Sequence, residues 1–165
     1  MMQKAASLAQ ARGWDYDILS PLHLALAVPS PRLPASYPMN IFCSTDGKAW
    51  GFVIMHEFIV EASRSEAIRE ALLRLNQFCA PAELDVRPSP ECFIRYTIDL
   101  DIEDDVETHL DRALDEALSQ MDMARMVLQL VNWAGKSADD AIAHVNSLEF
   151  DALRAAQSAK MGNAG

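Results

Sequence analysis

Residues Ser63–Phe78 read SRSEAIREALLRLNQF, and this stretch decides the fold. Ser63 stands three residues before Glu66, which predicts a capping box in which each side chain satisfies a free amide of the first turn. The apolar residues that follow recur at helical spacing and form one stripe. They are Ile68, Ala71, Leu72, Leu75 and Cys79. A helix with one apolar stripe needs a surface to pack against, so the neighbouring segments should supply a sheet.

The neighbouring segments show the alternation of strands. Asp46-Gly47 separates the apolar runs Met39–Thr45 and Lys48–Val60, which predicts a hairpin with a two-residue type I′ turn. The second run is apolar on both faces, so we predict a central strand. After Pro81, two more strands are predicted from alternating residues. Their apolar positions are Leu84 and Val86, then Cys92, Ile94, Tyr96, Ile98 and Leu100.

The first third of the chain is less regular. Gln3–Arg12 has helical spacing, and Gly13 is placed to end the helix. Leu22–Val28 alternates like a strand, whereas Trp14–Leu19 fits neither pattern clearly. Four prolines then predict a loop without regular structure, because proline lacks an amide hydrogen. They are Pro29, Pro31, Pro34 and Pro38.

A long helix is predicted near Asp105–Ala134, capped by Asp104 or Asp105. At about 100° per residue, its acidic side chains fall opposite the main apolar stripe and should face solvent. The acidic residues are Glu107, Asp111, Asp115 and Glu116. The stripe consists of Val106, Leu110, Ala113, Ala117, Met121, Ala124 and Leu128.

The last turns of this helix carry a second apolar face, which we call the Met/Trp face. It consists of Met123, Met126, Leu130 and Trp133. Methionine and tryptophan are common at binding surfaces, so this face is a candidate protein interface. Two alternatives remain for what buries the Met/Trp face. One is a following helix over Ala138–Leu148 within the chain, and the other is a second copy of the chain in a homodimer.

Composition narrows the class of protein. The chain has 165 residues, half of them hydrophobic, which favours one α+β domain over residues 1–150 with a tail at 151–165. Its net charge is −10, and the segment from Asp99 to Asp122 contains ten acidic residues but only one basic residue, Arg112. Such a field disfavours nucleic acid and anionic membranes. It either solubilises the protein or favours a basic protein partner.

Targeting and cysteine signals point to the cytoplasm. Met1–Gln10 lacks the apolar core of a secretory signal, and no apolar run approaches the ~20 residues of a membrane helix. The three cysteines are an odd number without CxxC spacing, which disfavours both disulfides and zinc.

No catalytic, cofactor or metal residues are predicted. Asp99-x-Asp101-x-Glu103 begins like a calcium loop, but Asp104 and Leu110 stand where that loop requires glycine and glutamate. The opposing hypothesis is a small-molecule or metal-binding protein, or an enzyme, that uses a cleft near the proline-rich loop.

A nucleophilic Cys–His pair is conceivable from the residue types alone. Cys43 or Cys92 could meet His56 in space, although both cysteines lie in predicted strands. Buried structural thiols are therefore the favoured interpretation.

The order of these elements resembles the YbjN family, proposed bacterial sensory-transduction regulators, from about Pro38 to Gly135. The matching pieces are Gly51–Val60, Arg74-Leu75-Asn76, Ala82–Val86, Cys92–Leu100 and Asp105–Trp133 with its central Met121-Asp122. The resemblance implies a type III secretion chaperone-like α+β fold, with helices packed on a twisted antiparallel sheet. It also implies a regulatory or chaperone-like role and brings no catalytic residues.

Overall fold

The computed structural model describes residues 2–87, 93–102 and 105–148. The helices are α1 (Met2–Ala11), α2 (Ser65–Cys79, after a 3-10 turn at Ala62–Arg64), α3 (Val106–Asn132) and α4 (residues 138–148). The strands are β1 (Asp15–Ser20), β2 (His23–Pro29), β3 (Ser36–Cys43), β4 (Ala49–Glu57), β5 (Glu83–Arg87) and β6 (Phe93–Asp101).

The described strands form one antiparallel sheet in the order β1-β2-β3-β4-β6-β5. Burial alternates along each inner strand, because one face packs against the helices and the other is open. In β4, for example, Trp50, Phe52 and Ile54 are buried, whereas Val53 is only half-buried. This architecture confirms the predicted fold class and the central position of β4.

The first two helices, α1 and α2, agree with their apolar patterns. The stripe of α2 is buried at Ile68, Ala71, Leu75 and Cys79. At the end of α1, Gly13 adopts a φ of 69°. The predicted capping box is wrong. A 3-10 turn precedes α2, so the helix begins at Ser65 rather than after Ser63, and no side chain caps it.

The proline-rich segment is more regular than predicted. Pro29 ends β2 opposite Ser36, and Pro38 lies inside β3 opposite Ala27, so only residues 30–35 connect the strands. The pairing of β3 with β4 begins at Met39, immediately after the proline. A proline is tolerated there because its missing amide removes no hydrogen bond between β3 and β4.

The edge strand β1 occupies the segment that the sequence left ambiguous. All six of its residues are exposed. Alternation cannot identify such a strand, since neither of its faces is buried.

The β3–β4 hairpin is present, but its predicted two-residue turn is wrong. Gly47 has the expected positive φ of 75°. However, the Ser44 amide donates to the Ala49 carbonyl over 2.8 Å, which leaves a four-residue loop. The Ala49 amide also donates to the Ser44 hydroxyl over 3.0 Å, and this bond supports the wider turn.

Most of the predicted apolar stripe of α3 is buried, but Val106 and Ala113 are only half-buried. Glu107 and Glu116 are exposed as predicted. Asp105 occupies the N-cap position, but its side chain makes no capping bond. Asp111 and Asp115 are not merely solvated, because both accept hydrogen bonds from Arg12. They therefore join α1 to α3. Asp104, Cys92 and the proposed tail at 151–165 lie outside the described residues.

Candidate protein-binding groove

An apolar groove of about 390 Å³ lies between the end of α3 and α4. The side chains of Trp133 and Leu148 at this groove are 58% and 50% exposed. Its lining consists of Met126, Gln129, Leu130, Trp133, Ala134, His144, Val145 and Leu148. Large apolar side chains left in water in one concave area are typical of a binding surface.

Three of the four residues of the predicted Met/Trp face line this groove: Met126, Leu130 and Trp133. Met123 does not line it and is a half-buried residue packed against the core. The fold adds Leu148, the last residue of the predicted following helix, whose apolar stripe is Ala141, Ile142, Val145 and Leu148. The sequence pattern of this helix does not predict that Leu148 stays exposed, because its exposure depends on how α4 packs against α3.

The following helix covers the Met/Trp face only in part. Ala138, Ala141 and Val145 of α4 are buried in the core. The far end of α4 leaves Leu148 and the indole of Trp133 open to solvent. The first of the two alternatives, burial of the Met/Trp face by the following helix, is therefore only partly correct.

A buried asparagine, Asn132, directly precedes Trp133 at the end of α3. The Asn132 side chain donates to the Ile59 carbonyl over 2.9 Å and accepts from the Glu61 amide over 3.0 Å. This bridge ties the segment after β4 to the end of α3. The Phe58 ring, which is buried, lies 5.8 Å from the Trp133 ring. The Asn132 bridge therefore holds the backbone next to Trp133, and the Phe58 ring packs against its side chain.

A second polar arrangement, the Asp122 cluster, lies deep between α3 and the sheet. The buried Asp122 carboxylate accepts hydrogen bonds from the Ser30 hydroxyl, the Tyr37 hydroxyl and the Arg32 amide. These bonds fasten the 30–35 connection onto α3, where the opposing hypothesis placed a cleft. Nothing in the sequence distinguishes Asp122 from the other acidic residues of α3, apart from its place in the Met121-Asp122 pair of the family pattern.

A histidine with a shifted pKa, His56, lies beside the Asp122 cluster. The His56 ring packs edge-on against the Tyr37 ring at 5.6 Å. Burial lowers the pKa of His56, and the positive charge of Arg125 lowers it further. Burial and the hydrogen bond to Asp122 raise the pKa of Tyr37. Both side chains are therefore held neutral near pH 7.

We expect the free energy of unfolding to fall as the pH drops from 7.5 to 5.5. The unfolded chain takes up a proton at His56 near pH 6.5, whereas the folded chain resists it, so acid favours unfolding. Urea denaturation of His56→Gln should show a smaller loss over this range. His109→Gln, at an exposed site on α3, is the matched control and should keep the wild-type loss. Equal losses in all three proteins would contradict this assignment.

The conceivable Cys–His pair does not form between Cys43 and His56. Cys43 lies opposite Trp50, six residues along β4 from His56, a separation of about 20 Å. Burial raises the pKa of Cys43 and raises the pKa of Cys79 to about 11. Both are unbonded, buried thiols. Cys92 lies outside the described residues.

The described part of the chain shows neither a metal-binding group of side chains nor a membrane-spanning helix. In residues 2–87, 93–102 and 105–148, no three His, Cys, Asp or Glu side chains are grouped so that they could hold a metal ion. In the same ranges, no helix has the length and hydropathy required to cross a bilayer.

Solved structures share this fold at low sequence identity. YbjN from E. coli, described as a proposed transcription regulator, has a TM-score of 0.54 and 13% identity over 80% of this chain and 91% of that one. An uncharacterized protein from Methanothermobacter thermautotrophicus has a TM-score of 0.57 and 10% identity over 79% and 98%. At such identities the similarity concerns the fold alone.

A weaker similarity is to a chain of the heterodimeric ExoU–SpcU complex from the type III secretion system of Pseudomonas aeruginosa. Its TM-score is 0.46, with 16% identity over 72% of this chain and 92% of that one. No protein-family model matches the sequence, and comparison with curated proteins gives no match.

Proposed function

We propose that this protein is a non-enzymatic binding module of the cytoplasm, chaperone-like or regulatory, that acts through protein–protein contacts. The observation that carries the proposal is the exposed apolar groove between α3 and α4. The fold shared with YbjN supports placing the chain in that family. Unbonded thiols at Cys43 and Cys79 are in keeping with a reducing compartment.

The first partner that this groove suits is a second copy of the chain. A two-fold axis would place the same surface against itself, so that each Trp133 is buried by its partner. Each large apolar side chain removed from water contributes about 1.5–3 kcal/mol. The chain carries a net charge of −10, yet among the residues up to 148 that the structure describes, no Asp or Glu lines the groove. Like-charge repulsion between two copies is therefore weaker here than on the acidic surfaces.

We expect the wild-type protein to be a dimer and Trp133→Asp to be a monomer. A carboxylate at the centre of the contact would have to be desolvated without a partner. Light scattering coupled to size-exclusion chromatography measures the mass, and thermal denaturation reports the fold. Trp133 is more than half exposed, so the variant should retain the melting temperature of the monomeric fold.

Leu73→Asp is the matched control, because Leu73 is 65% exposed on α2 and does not line the groove. This variant should remain dimeric. A monomeric wild type would contradict the proposed dimer, and unfolding by Trp133→Asp would show that Trp133 serves the monomer's own core. Strong thermal stabilisation by one metabolite or divalent ion would instead favour the opposing small-molecule hypothesis.

A further inference from the structure

The open face of the sheet has a hollow of about 560 Å³ at the hairpin end of β3, β4 and β6. Phe42, Gly51 and Asp99 lie side by side there on the three adjacent strands. Residues that pair directly across antiparallel strands share a face, so all three belong to the open side. Gly51 has no side chain, and it therefore leaves a slot between an aromatic ring and a carboxylate.

The aromatic wall of the slot is held in position. Phe42 is 40% exposed, and its other side stacks on the His23 ring with 4.3 Å between ring centroids. The His23 ring is itself fixed by a 2.9 Å hydrogen bond between its Nε2 and the Asn40 side chain. An exposed phenylalanine that is braced from behind presents a rigid π face toward the slot.

The opposite wall carries negative charge. The Asp99 carboxylate leans over Gly51, since a Cβ placed on Gly51 would lie 2.9 Å from its Oδ1. Asp101, two residues further along β6, adds a second carboxylate to the lining of the hollow. Within the described ranges, neither carboxylate forms an ion pair or accepts a side-chain hydrogen bond. Among the described residues, the slot therefore holds no cation.

We propose that this slot binds an arginine side chain of a partner protein, with the guanidinium between the Phe42 ring and the Asp99 carboxylate. The backbones of β3 and β6 are about 10 Å apart, two strand spacings. A cation midway would lie within the ~6 Å range of cation–π attraction and within reach of the carboxylate. Arginine suits the site better than lysine, because its planar fork stacks on a ring and pairs with a carboxylate at the same time.

The overall charge supports the same occupant. A chain with a net charge of −10 attracts basic proteins over long range, and the two carboxylates place negative charge at the slot itself. The slot lies on the face of the sheet opposite the helices that form the groove. Arginine binding at the slot is therefore independent of the dimer proposed above.

The test is an NMR titration of the ¹⁵N-labelled full chain with the blocked tripeptide Gly-Arg-Gly. We expect concentration-dependent shifts of the Phe42, Gly51 and Asp99 amides, with a dissociation constant on the order of millimolar for so small a probe. The blocked Gly-citrulline-Gly peptide has nearly the same shape without the charge and should cause no such shifts. Gly-Lys-Gly should bind more weakly than the arginine peptide.

Two variants probe the walls of the slot. Asp99→Asn should weaken arginine binding about fivefold, as expected for the loss of one partly exposed ion pair. Asp17→Asn, on the same face of β1, is the matched control and should bind like the wild type. Phe42→Leu should also weaken binding, because it removes the π face.

A third variant fills the slot. Gly51→Val should abolish binding while the protein remains folded, because Gly51 does not require a positive φ and Asp99 can rotate away. If valine disrupts the spectrum, Gly51→Ala serves the same purpose with a smaller side chain. Absence of shifts in the wild type, equal shifts with citrulline, or unaltered binding by the filled variant would each overturn the proposal. Trp133→Asp should leave arginine binding intact.

Discussion

Asp122→Ala is expected to lower the free energy of unfolding by about 3–5 kcal/mol. The carboxylate is fully buried and accepts hydrogen bonds from Ser30, Tyr37 and the Arg32 amide. Alanine would leave these donors unpaired in a space that water reaches poorly. It would also remove the negative charge near Arg125, two of whose guanidinium nitrogens are buried without a described partner. Urea denaturation at pH 7.5 measures the loss.

Two further variants separate the charge from the hydrogen bonds. Asp122→Asn retains an acceptor of similar shape, so it should cost less than alanine. Ser119→Ala removes a more exposed hydrogen bond from the Arg32 guanidinium to the same helix and should cost under about 1 kcal/mol. A loss below about 1 kcal/mol for Asp122→Ala would mean that the cluster does not hold the 30–35 connection to α3.

Asn132→Ala should lower the free energy of unfolding by about 2–4 kcal/mol. The variant leaves the Ile59 carbonyl and the Glu61 amide without their side-chain partner at a site that is 1% exposed. Since Asn132 directly precedes Trp133, loss of the bridge should also disturb the position of Trp133 and weaken the proposed dimer. Urea denaturation and light scattering give the two readouts.

Asn76→Ala is the matched control for this prediction. The Asn76 side chain makes the same two-bond bridge to the amide and carbonyl of Leu84, over 2.7 and 2.9 Å. It is only half-buried, so water can replace part of what is lost. We expect a cost of about 1–2 kcal/mol and no change in association. An equal or larger cost than that of Asn132→Ala would contradict the role assigned to burial.

The amino-acid sequence alone determined the elements whose one face is buried. Strict alternation placed Ile94, Tyr96 and Ile98 of β6 on the inner face of the sheet, and all three are buried. The stripe from Ile68 to Cys79 likewise identified the packed face of α2. Periodicity works here because water and core impose opposite preferences on the two sides of one element.

Local residue preferences predicted the structure less well where hydrogen bonding by neighbouring segments opposes them. Ser63 and Glu66 match a capping box, but the 3-10 turn before α2 moves the start of the helix past Ser63. Pro38 suggested a loop, yet β2 pairs with β3 through it. In each case the hydrogen bonds of adjacent backbone outweigh a preference that the local residues express only weakly.

Only the tertiary structure decided which residues meet from distant parts of the chain. Asp122 is one acidic residue among many in the sequence, and the fold alone places Ser30 and Tyr37 around it. The same holds for the slot, where strand order sets Phe42 and Asp99 on either side of Gly51. It holds also for the groove, which exists because α4 packs on α3 without reaching all of Trp133. The physical reason is that periodicity records whether a side chain is buried, whereas strand register and helix packing choose its neighbours.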